Sequence, residues 1–181
     1  MAFNAQEFRS RMHGGGARPN LFEIKMTIPD RASASEQISF MAEVATAPAY
    51  VVGFADTYYF GRRISHPHDR EYQDASLQII NLEDFDVRSA LESWQDRCSR
   101  TSWNTDHIEH ADGLSLYSDI SILAYGKEGD LLRETKMYNA FPILLGPLQY
   151  AWADNNQIQK FSADFRYDYA EVVYQRALQR G

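Results

Sequence analysis

Alternating apolar and polar residues predict strands along much of the chain, since a period of two is typical of a strand with one buried face. Residues 21–28 and 36–44 show this pattern, and residues 117–139 indicate a hairpin that turns at the glycines of residues 126–130. A short strand is also predicted at residues 148–152. The last strand alternates most clearly, and its apolar face consists of Phe161, Ala163, Phe165, Tyr167 and Tyr169.

A helical spacing of apolar residues predicts one helix, at residues 83–99. Asn81 is its predicted N-terminal cap. Its buried face is predicted to consist of Val87, Leu91, Trp94 and Cys98. About eight strands with one helix predict a mainly β fold, a β-sandwich or open barrel of two packed antiparallel sheets with one flanking α-helix.

The ends of the chain differ from its middle. Residues 1–17 are predicted to form a flexible N-terminal arm, which carries Phe3 and Phe8 and closes with three successive glycines. A disordered terminus explains this segment equally well. Residues 18–170 are predicted to form the β domain. Residues 171–181 form a C-terminal tail that is either a short helix or a fraying end.

Residues 50–72 show the weakest pattern. Residues 50–52 and 57–60 look extended, whereas residues 61–70 are polar and predict an exposed basic loop. The sequence groups its basic residues most densely there, as Arg62, Arg63 and Arg70. These arginines are either solvated or form ion pairs with a partner.

Composition and charge argue against several function classes. The chain has 181 residues, of which 44% are hydrophobic, and a net charge of −7. This composition is typical of a globular domain, and the charge disfavours binding nucleic acid through its phosphates. No apolar run reaches the length of a membrane span and the N-terminus lacks signal-peptide features, so a soluble protein is expected.

No set of residues converges on a catalytic or metal site. The pairs His66/His68 and His107/His110 lie in predicted loops, without a cysteine at ligand spacing. The single cysteine, Cys98, excludes an internal disulfide and falls on the buried face of the predicted helix. The sequence therefore predicts no enzyme activity, no metal and no cofactor.

Short motifs near both ends of the chain follow one another in a fixed order. They read ARPNLFEI at residues 17–24, YNAFP at 138–142, GPLQYAW at 146–152 and DNNQIQKF at 154–161, which runs on to FRYDY at 165–169. In wording, spacing and order they resemble the tail tube proteins of contractile-tailed bacteriophages of the T4 type, the myoviruses. The resemblance extends over about residues 17–170.

This resemblance implies a structural protein of the virion, located in the phage tail. Six subunits would form a ring in which each contributes a four-stranded sheet to one continuous inner β-barrel. Stacked rings would form the tube that conducts DNA into the host without binding it specifically. A barrel of about 24 strands tilted by about 40° has a backbone diameter of about 48 Å, wide enough for duplex DNA. Partners would be further copies of the chain, the tail sheath, the baseplate, and the tube initiator and terminator proteins.

Two sets of residues are candidates for roles in such a tube. Contacts between subunits or rings are expected at Arg62, Arg63, Arg70, Phe60, Phe3 and Phe8. A lumen lined by acidic residues would repel DNA and let it slide. The candidate lumen residues are Glu36, Glu43, Glu71 and Asp74, whose polar faces are equally consistent with ordinary solvated surface.

Other functions stay open at this point. A tube initiator or terminator, or the tube protein of an injection apparatus, would share the same fold. A small-ligand-binding β-barrel or an enzyme would instead need a convergent polar pocket, which the sequence does not indicate.

Overall fold

The computed structural model describes residues 5–12, 16–29, 31–99, 116–153 and 155–175. The helices are α1 (Ala5–Arg11), α2 (Ala32–Met41) and α3 (Asp86–Cys98). The strands are β1 (Phe22–Met26), β2 (Ala42–Ala45), β3 (Tyr50–Tyr59), β4 (Arg62–Tyr72), β5 (Ala75–Ile80), β6 (Ser118–Tyr125), β7 (Leu131–Leu145), β8 (Lys160–Arg166) and β9 (Tyr169–Gln175).

Two antiparallel sheets share the long strand β7, which passes from one to the other. Residues 131–140 of β7 lie in the first sheet, whose strand order is β1-β6-β7-β9. Residues 141–145 pair with β8 in the second sheet, whose order is β7-β8-β5-β2. At the passage between the sheets, Asn139 adopts a φ of 54° and its amide donates to Asp168 at 2.7 Å. The predicted mainly β fold of antiparallel sheets is confirmed.

The core is formed by the inward faces of both sheets together with α2 and α3. Trp94 of α3 packs against Phe165 of β8 with ring centroids 6.1 Å apart. Its indole Nε1–H donates to the backbone oxygen of Leu116 at 2.8 Å, which satisfies the polar atom of a buried side chain. The alternation predicted for the last strand is confirmed over residues 161–167, whereas Tyr169 is exposed because the chain has entered β9.

The strand predicted at residues 36–44 is wrong. Helix α2 occupies most of this segment, and β2 begins after it. The buried residues Ala34 and Ile38 are four positions apart, the spacing of one helix face. Phe40, which the alternation placed inward, is 81% exposed. The alternation runs across the end of a helix and the start of the next strand, which together resemble a single strand in sequence.

The helix predicted at residues 83–99 is confirmed, but its predicted start and cap are wrong. Helix α3 begins at Asp86, and Phe85 before it has a φ of 54°. The amide of Asn81 donates to Gln159 Oε1 at 2.8 Å, so Asn81 ties two loops together instead of capping the helix. The described part of the chain has two further helices: α1 lies in the arm, where the spacing of Phe3, Phe8 and Met12 in the sequence favours a short amphipathic helix, and α2 replaces a predicted strand.

The exposed loop predicted at residues 61–70 is also wrong in its backbone. These residues lie mostly in β4, which pairs with β3 in a separate two-stranded hairpin. The hairpin turns at Phe60 and Gly61, whose φ values of 47° and 74° fit the tight turns that join antiparallel strands. Every side chain from residue 54 to residue 71 is exposed, so no alternation of burial could indicate these strands.

The last third of the chain differs from prediction at two places. The short strand predicted at residues 148–152 is absent, because this segment is an irregular loop. Strand β9 pairs with β7 and continues across the predicted boundary at residue 170. The first residues of the predicted tail at 171–181 therefore belong to the first sheet.

Candidate assembly surfaces

Side chains suited to metal binding or nucleophilic chemistry lie apart in the structure. Within the described ranges no group of three or more His, Cys, Asp or Glu side chains is close enough to share a metal ion. His66 and His68 lie exposed on β4, while His107 and His110 fall outside the described residues. Burial raises the pKa of the Cys98 thiol, which disfavours the reactive thiolate. In the same part of the chain, none of the helices is both long and apolar enough to span a membrane.

Strands β1 and β9 form the two edges of the first sheet, so each has one side unpaired within the described chain. An edge strand presents free backbone N–H and C=O groups that can pair with another chain. β9 also exposes apolar side chains: Val172, Val173 and Tyr174 are each more than 40% exposed. This edge therefore combines unpaired backbone with apolar surface.

A hollow of about 570 Å³ lies beside the opposite edge of the same sheet. It opens between β1, α2 and β2, and its apolar lining includes Pro19, Phe22 and Phe40. Apolar side chains that lie together on the surface, as Pro19, Phe22 and Phe40 do here, are typical of an interaction site. Both edges of the first sheet thus carry features suited to contact with another molecule.

Alternate residues of the first sheet point away from the core and form what we call the polar face. The pairing register places Lys25, Ser121, Lys136 and Glu171 in one row across the four strands, and Glu23, Leu123 and Glu134 in the next. Asp119 joins them through its contact with Lys136. Four carboxylates and two ammonium groups leave this face with a net charge of −2.

Both lysines of the polar face lie near carboxylates. Lys136 Nζ is 2.8 Å from Asp119 Oδ2, and this hydrogen bond is the main reason that the pKa of Lys136 is raised. Lys25 Nζ lies 4.0 Å from Glu23 Oε1, a looser pair. The pairing leaves carboxylates in excess on this face.

Tyrosines complete the polar face. Tyr138 stacks on Tyr169 with centroids 4.6 Å apart, and its hydroxyl donates to Glu171 Oε1 at 2.6 Å. This hydrogen bond raises the pKa of Tyr138 to about 12. Tyr125 donates to Glu23 Oε2 at 2.6 Å in the same way. The phenols therefore act as donors that hold carboxylates in place.

The four acidic residues proposed from the sequence as lumen candidates lie elsewhere. Glu36 is on α2, and Glu71 is on β4. Glu43 on β2 pairs with Lys160 at 2.7 Å, and Asp74 pairs with Arg166 at 3.6 Å. None of these four lies on the polar face. The polar positions between buried ones in residues 21–28 and 117–139 carried the signal that could have identified it.

The β3–β4 hairpin is the most exposed part of the described chain. Its strands of ten and eleven residues extend about 30 Å. Phe60 at the tip is 91% exposed. The aromatic side chains along β3 are exposed as well, to a smaller extent. Phe8 on α1 is likewise exposed, and Phe3 lies outside the described residues.

The three arginines of the hairpin do not form one cluster. Arg62 and Arg63 lie at the tip, where Arg63 pairs with Asp56 at 3.6 Å. Arg70 lies roughly 25 Å away at the base, given the rise per residue of a strand. There its guanidinium packs over the Tyr50 ring, 4.3 Å from the centroid. The tip and the base therefore carry separate positive charges.

A larger hollow of about 890 Å³ lies between the loop at residues 147–159 and the outer side of the second sheet. Trp152 is fully exposed on this loop, and Tyr150 and Ile158 are largely exposed. The loop begins at Gly146. The Gly146 N–H donates a hydrogen bond to Ser162 O of β8 at 2.7 Å, which attaches the start of the loop to the sheet. The loop coincides with the GPLQYAW and DNNQIQKF motifs.

Comparisons with known proteins find similar proteins over most of the chain. A family model described as phage tail tube protein matches residues 17–172. Tail tube protein gp19 of Enterobacteria phage T4 is 24% identical over 159 residues, which cover 87% of this chain and 93% of that protein.

Solved structures show the same fold. A chain of the sheath–tube complex of an extracellular contractile injection system, PVC, has a TM-score of 0.58 and 15% identity, covering 94% of this chain and 98% of its own. A chain of the sheath/tube terminator structure of that system has a TM-score of 0.63 and 14% identity. The match covers 87% of this chain and 96% of that chain.

Proposed function

The chain belongs to the phage tail tube protein family, and on that premise we propose that six copies close into a ring through the edges of the first sheet and that these rings stack into the tube. The family makes it a structural component of the virion, not an enzyme. The observation that carries the proposed ring is the four-stranded first sheet with two unpaired edges.

Strand direction supports edge-to-edge pairing. β1 runs antiparallel to β6, β6 to β7, and β7 to β9. The two edge strands therefore run in opposite directions, and β9 of one copy can pair antiparallel with β1 of the next. Six sheets joined in this way make a closed barrel of about 24 strands in which no edge is left open.

Apolar complementarity supports the same contact. Val172 pairs with Thr135 and lies on the core side of the first sheet, yet it is 41% exposed because none of the described elements of its own chain covers it. On the other edge, the hollow lined by Pro19, Phe22 and Phe40 also lies on the core side, since Phe22 packs against the core. Pairing β9 with the next copy's β1 brings Val172 to this hollow. Full burial of an exposed valine is worth about 1.5–3 kcal/mol, so burying the 41% of Val172 that is still exposed would stabilise the contact by about 0.6–1.2 kcal/mol.

In this arrangement the polar face lines the lumen, because the opposite face of the first sheet packs against the core. A charge of −2 per copy becomes −12 per ring of six copies. Such a surface repels DNA phosphates and offers no counterion release, so duplex DNA passes without specific binding. Glu23, Asp119, Glu134 and Glu171 take the role that sequence analysis gave to other acids.

We assign contacts between rings to the β3–β4 hairpin and the N-terminal arm. The hairpin exposes Phe60 and Arg62 at a tip about 30 Å from its base, and α1 exposes Phe8. Side chains of this kind are buried when an interface forms. Structures similar to this chain come from tube components assembled with a baseplate, a cap and a sheath, so we propose partners of the same classes.

Electron microscopy of the purified protein tests this proposal. Wild-type protein should form tubes, and Val172→Asp should remain monomeric because it places a charge in the subunit contact. The matched control is Ile158→Asp, an exposed aliphatic residue on the loop at 147–159, which should still assemble. Single wild-type rings that never stack would favour an initiator or terminator. Strictly monomeric wild-type protein, or tubes of Val172→Asp, would contradict the proposed ring.

A further inference from the structure

Resting on the proposed ring, we propose that Asp119 keeps DNA from binding to the lumen wall by forming an ion pair with Lys136, the better held of the two lysines on the polar face. Asp119 is thus a residue that determines how the lumen treats its cargo. Lys136 belongs to the central strand β7 and points away from the core, so each ring would present six copies of it to passing DNA.

Asp119 is held in place to do this. Its Oδ1 accepts a hydrogen bond from the backbone N–H of Asn139 at 3.3 Å, while its Oδ2 contacts Lys136 Nζ at 2.8 Å. The ammonium group also lies 4.7 Å from the centroid of the Tyr138 ring, a cation–π contact. Tyr138 is fixed in turn by its bond to Glu171. The ammonium is therefore bounded by a carboxylate and an aromatic face.

Net charge alone does not protect against a free cation. Fields between exposed charges are screened within about 8 Å at physiological salt, so a phosphate near an unpaired ammonium responds mainly to that ammonium. Six freed lysines per ring contacting six phosphates would give a binding constant that falls by about a thousandfold between 50 and 200 mM salt. The ion pair of Lys136 Nζ with Asp119 Oδ2 at 2.8 Å neutralises the ammonium group, so that it is not free to bind a phosphate.

The substitution Asp119→Asn tests the idea with little structural change. Asparagine keeps the oxygen that accepts from Asn139 but loses the charge that holds Lys136. The matched control is Glu134→Gln, which removes one carboxylate from the same face. Glu134 has no hydrogen bond or ion pair within the described residues and acts on Lys136 only through its charge, so this change leaves the direct pair of Lys136 with Asp119 in place. The rescue variant combines Asp119→Asn with Lys136→Gln.

Assembled tubes of each variant are sedimented with a short linear DNA duplex at 50 mM salt, and the position of retained DNA is located by electron cryomicroscopy. We expect Asp119→Asn tubes to retain at least about tenfold more DNA in the lumen than wild type, with retention lost at 200 mM salt. Glu134→Gln and the rescue variant should behave like wild type.

Two outcomes would overturn the proposal. Equal retention by Asp119→Asn and Glu134→Gln would mean that total charge alone governs the lumen. No retention by Asp119→Asn would mean that Lys136 does not reach DNA. Failure of the underlying ring is distinguishable, because the same micrographs would then show no tubes, or tubes in which the polar face points away from the lumen.

Discussion

Gly146 is expected to be intolerant of a side chain even though its backbone needs no special conformation. It lies just after β7, beside Ser162 of β8, and starts the loop that carries Trp152. A Cβ added at this position would overlap Ser162 Oγ and would lie 3.2 Å from both the backbone N and the backbone O of Ser162. The Ser162 hydroxyl can rotate away, but its backbone is fixed by pairing with β5.

The cost of Gly146→Ala follows from these contacts. Overpacking against fixed atoms costs about 1–3 kcal/mol. The hydrogen bond from Gly146 N–H to Ser162 O, now 2.7 Å, would lengthen, as would the bond from Arg88 Nη1 to Gly146 O at 2.8 Å. Weakening them adds about 0.5–1.5 kcal/mol. We therefore expect Gly146→Ala to lower the free energy of unfolding by about 1.5–4.5 kcal/mol.

Urea unfolding measures this difference, with Val172→Asp as a monomeric background in every sample. Ser162→Ala removes the hydroxyl contact but leaves the backbone contacts, so adding it to Gly146→Ala should restore part of the loss. Ser162→Ala by itself serves as the control and should change stability little. A Gly146→Ala protein as stable as its background would refute the steric reasoning. Full restoration by Ser162→Ala would show that the backbone contacts cost nothing.

Two further outcomes are expected. Replacing Arg62 and Arg63 together by Glu should leave single rings, because in the proposed tube the hairpin tip contacts the next ring. Arg70→Glu, at the base of the hairpin, should still give tubes. Tubes from all variants in electron micrographs would show that the tip arginines are ordinary solvated surface. Tyr138 has its pKa raised to about 12 by Glu171, so the stability it contributes is present below about pH 10 and lost as pH rises towards 12. Tyr138→Phe should remove this loss of stability at alkaline pH, and one tyrosine ionisation near pH 12 should disappear from the titration. A titration unchanged by the substitution would contradict the prediction.

Strand β8 was predictable because its residues alternate strictly between buried and more exposed positions. Residues 161–167 alternate because β8 lies between two strands, with one face on Trp94 and the core. The motifs at residues 138–169 added the family, which the comparisons confirm. In these segments local pattern and tertiary packing agree, so the sequence alone was sufficient.

The missed elements share a physical cause. Ile38 and Phe40 alternate in sequence, but one is buried by a helix turn and the other is exposed. Residues 61–70 pack against no core, so nothing in their polar sequence distinguishes strand from loop, whereas the extended residues predicted at 50–52 and 57–60 lie mostly in β3. The polar face depends on the register of four strands that are distant in sequence, which places Lys25 in one row with Lys136. Which residues lie side by side in the sheet can be known only once the pairing of the strands is known.

The sharing of β7 between the two sheets has a mechanical consequence. In the proposed tube, force that moving cargo applies to the first sheet would travel along one unbroken backbone through Asn139 into the second sheet. Side-chain packing between layers can slip under load, whereas a covalent chain anchored by hydrogen bonds on both sides must stretch or break. The two sheets of a subunit would therefore deform together, so the proposed tube would resist shear between its inner and outer surfaces.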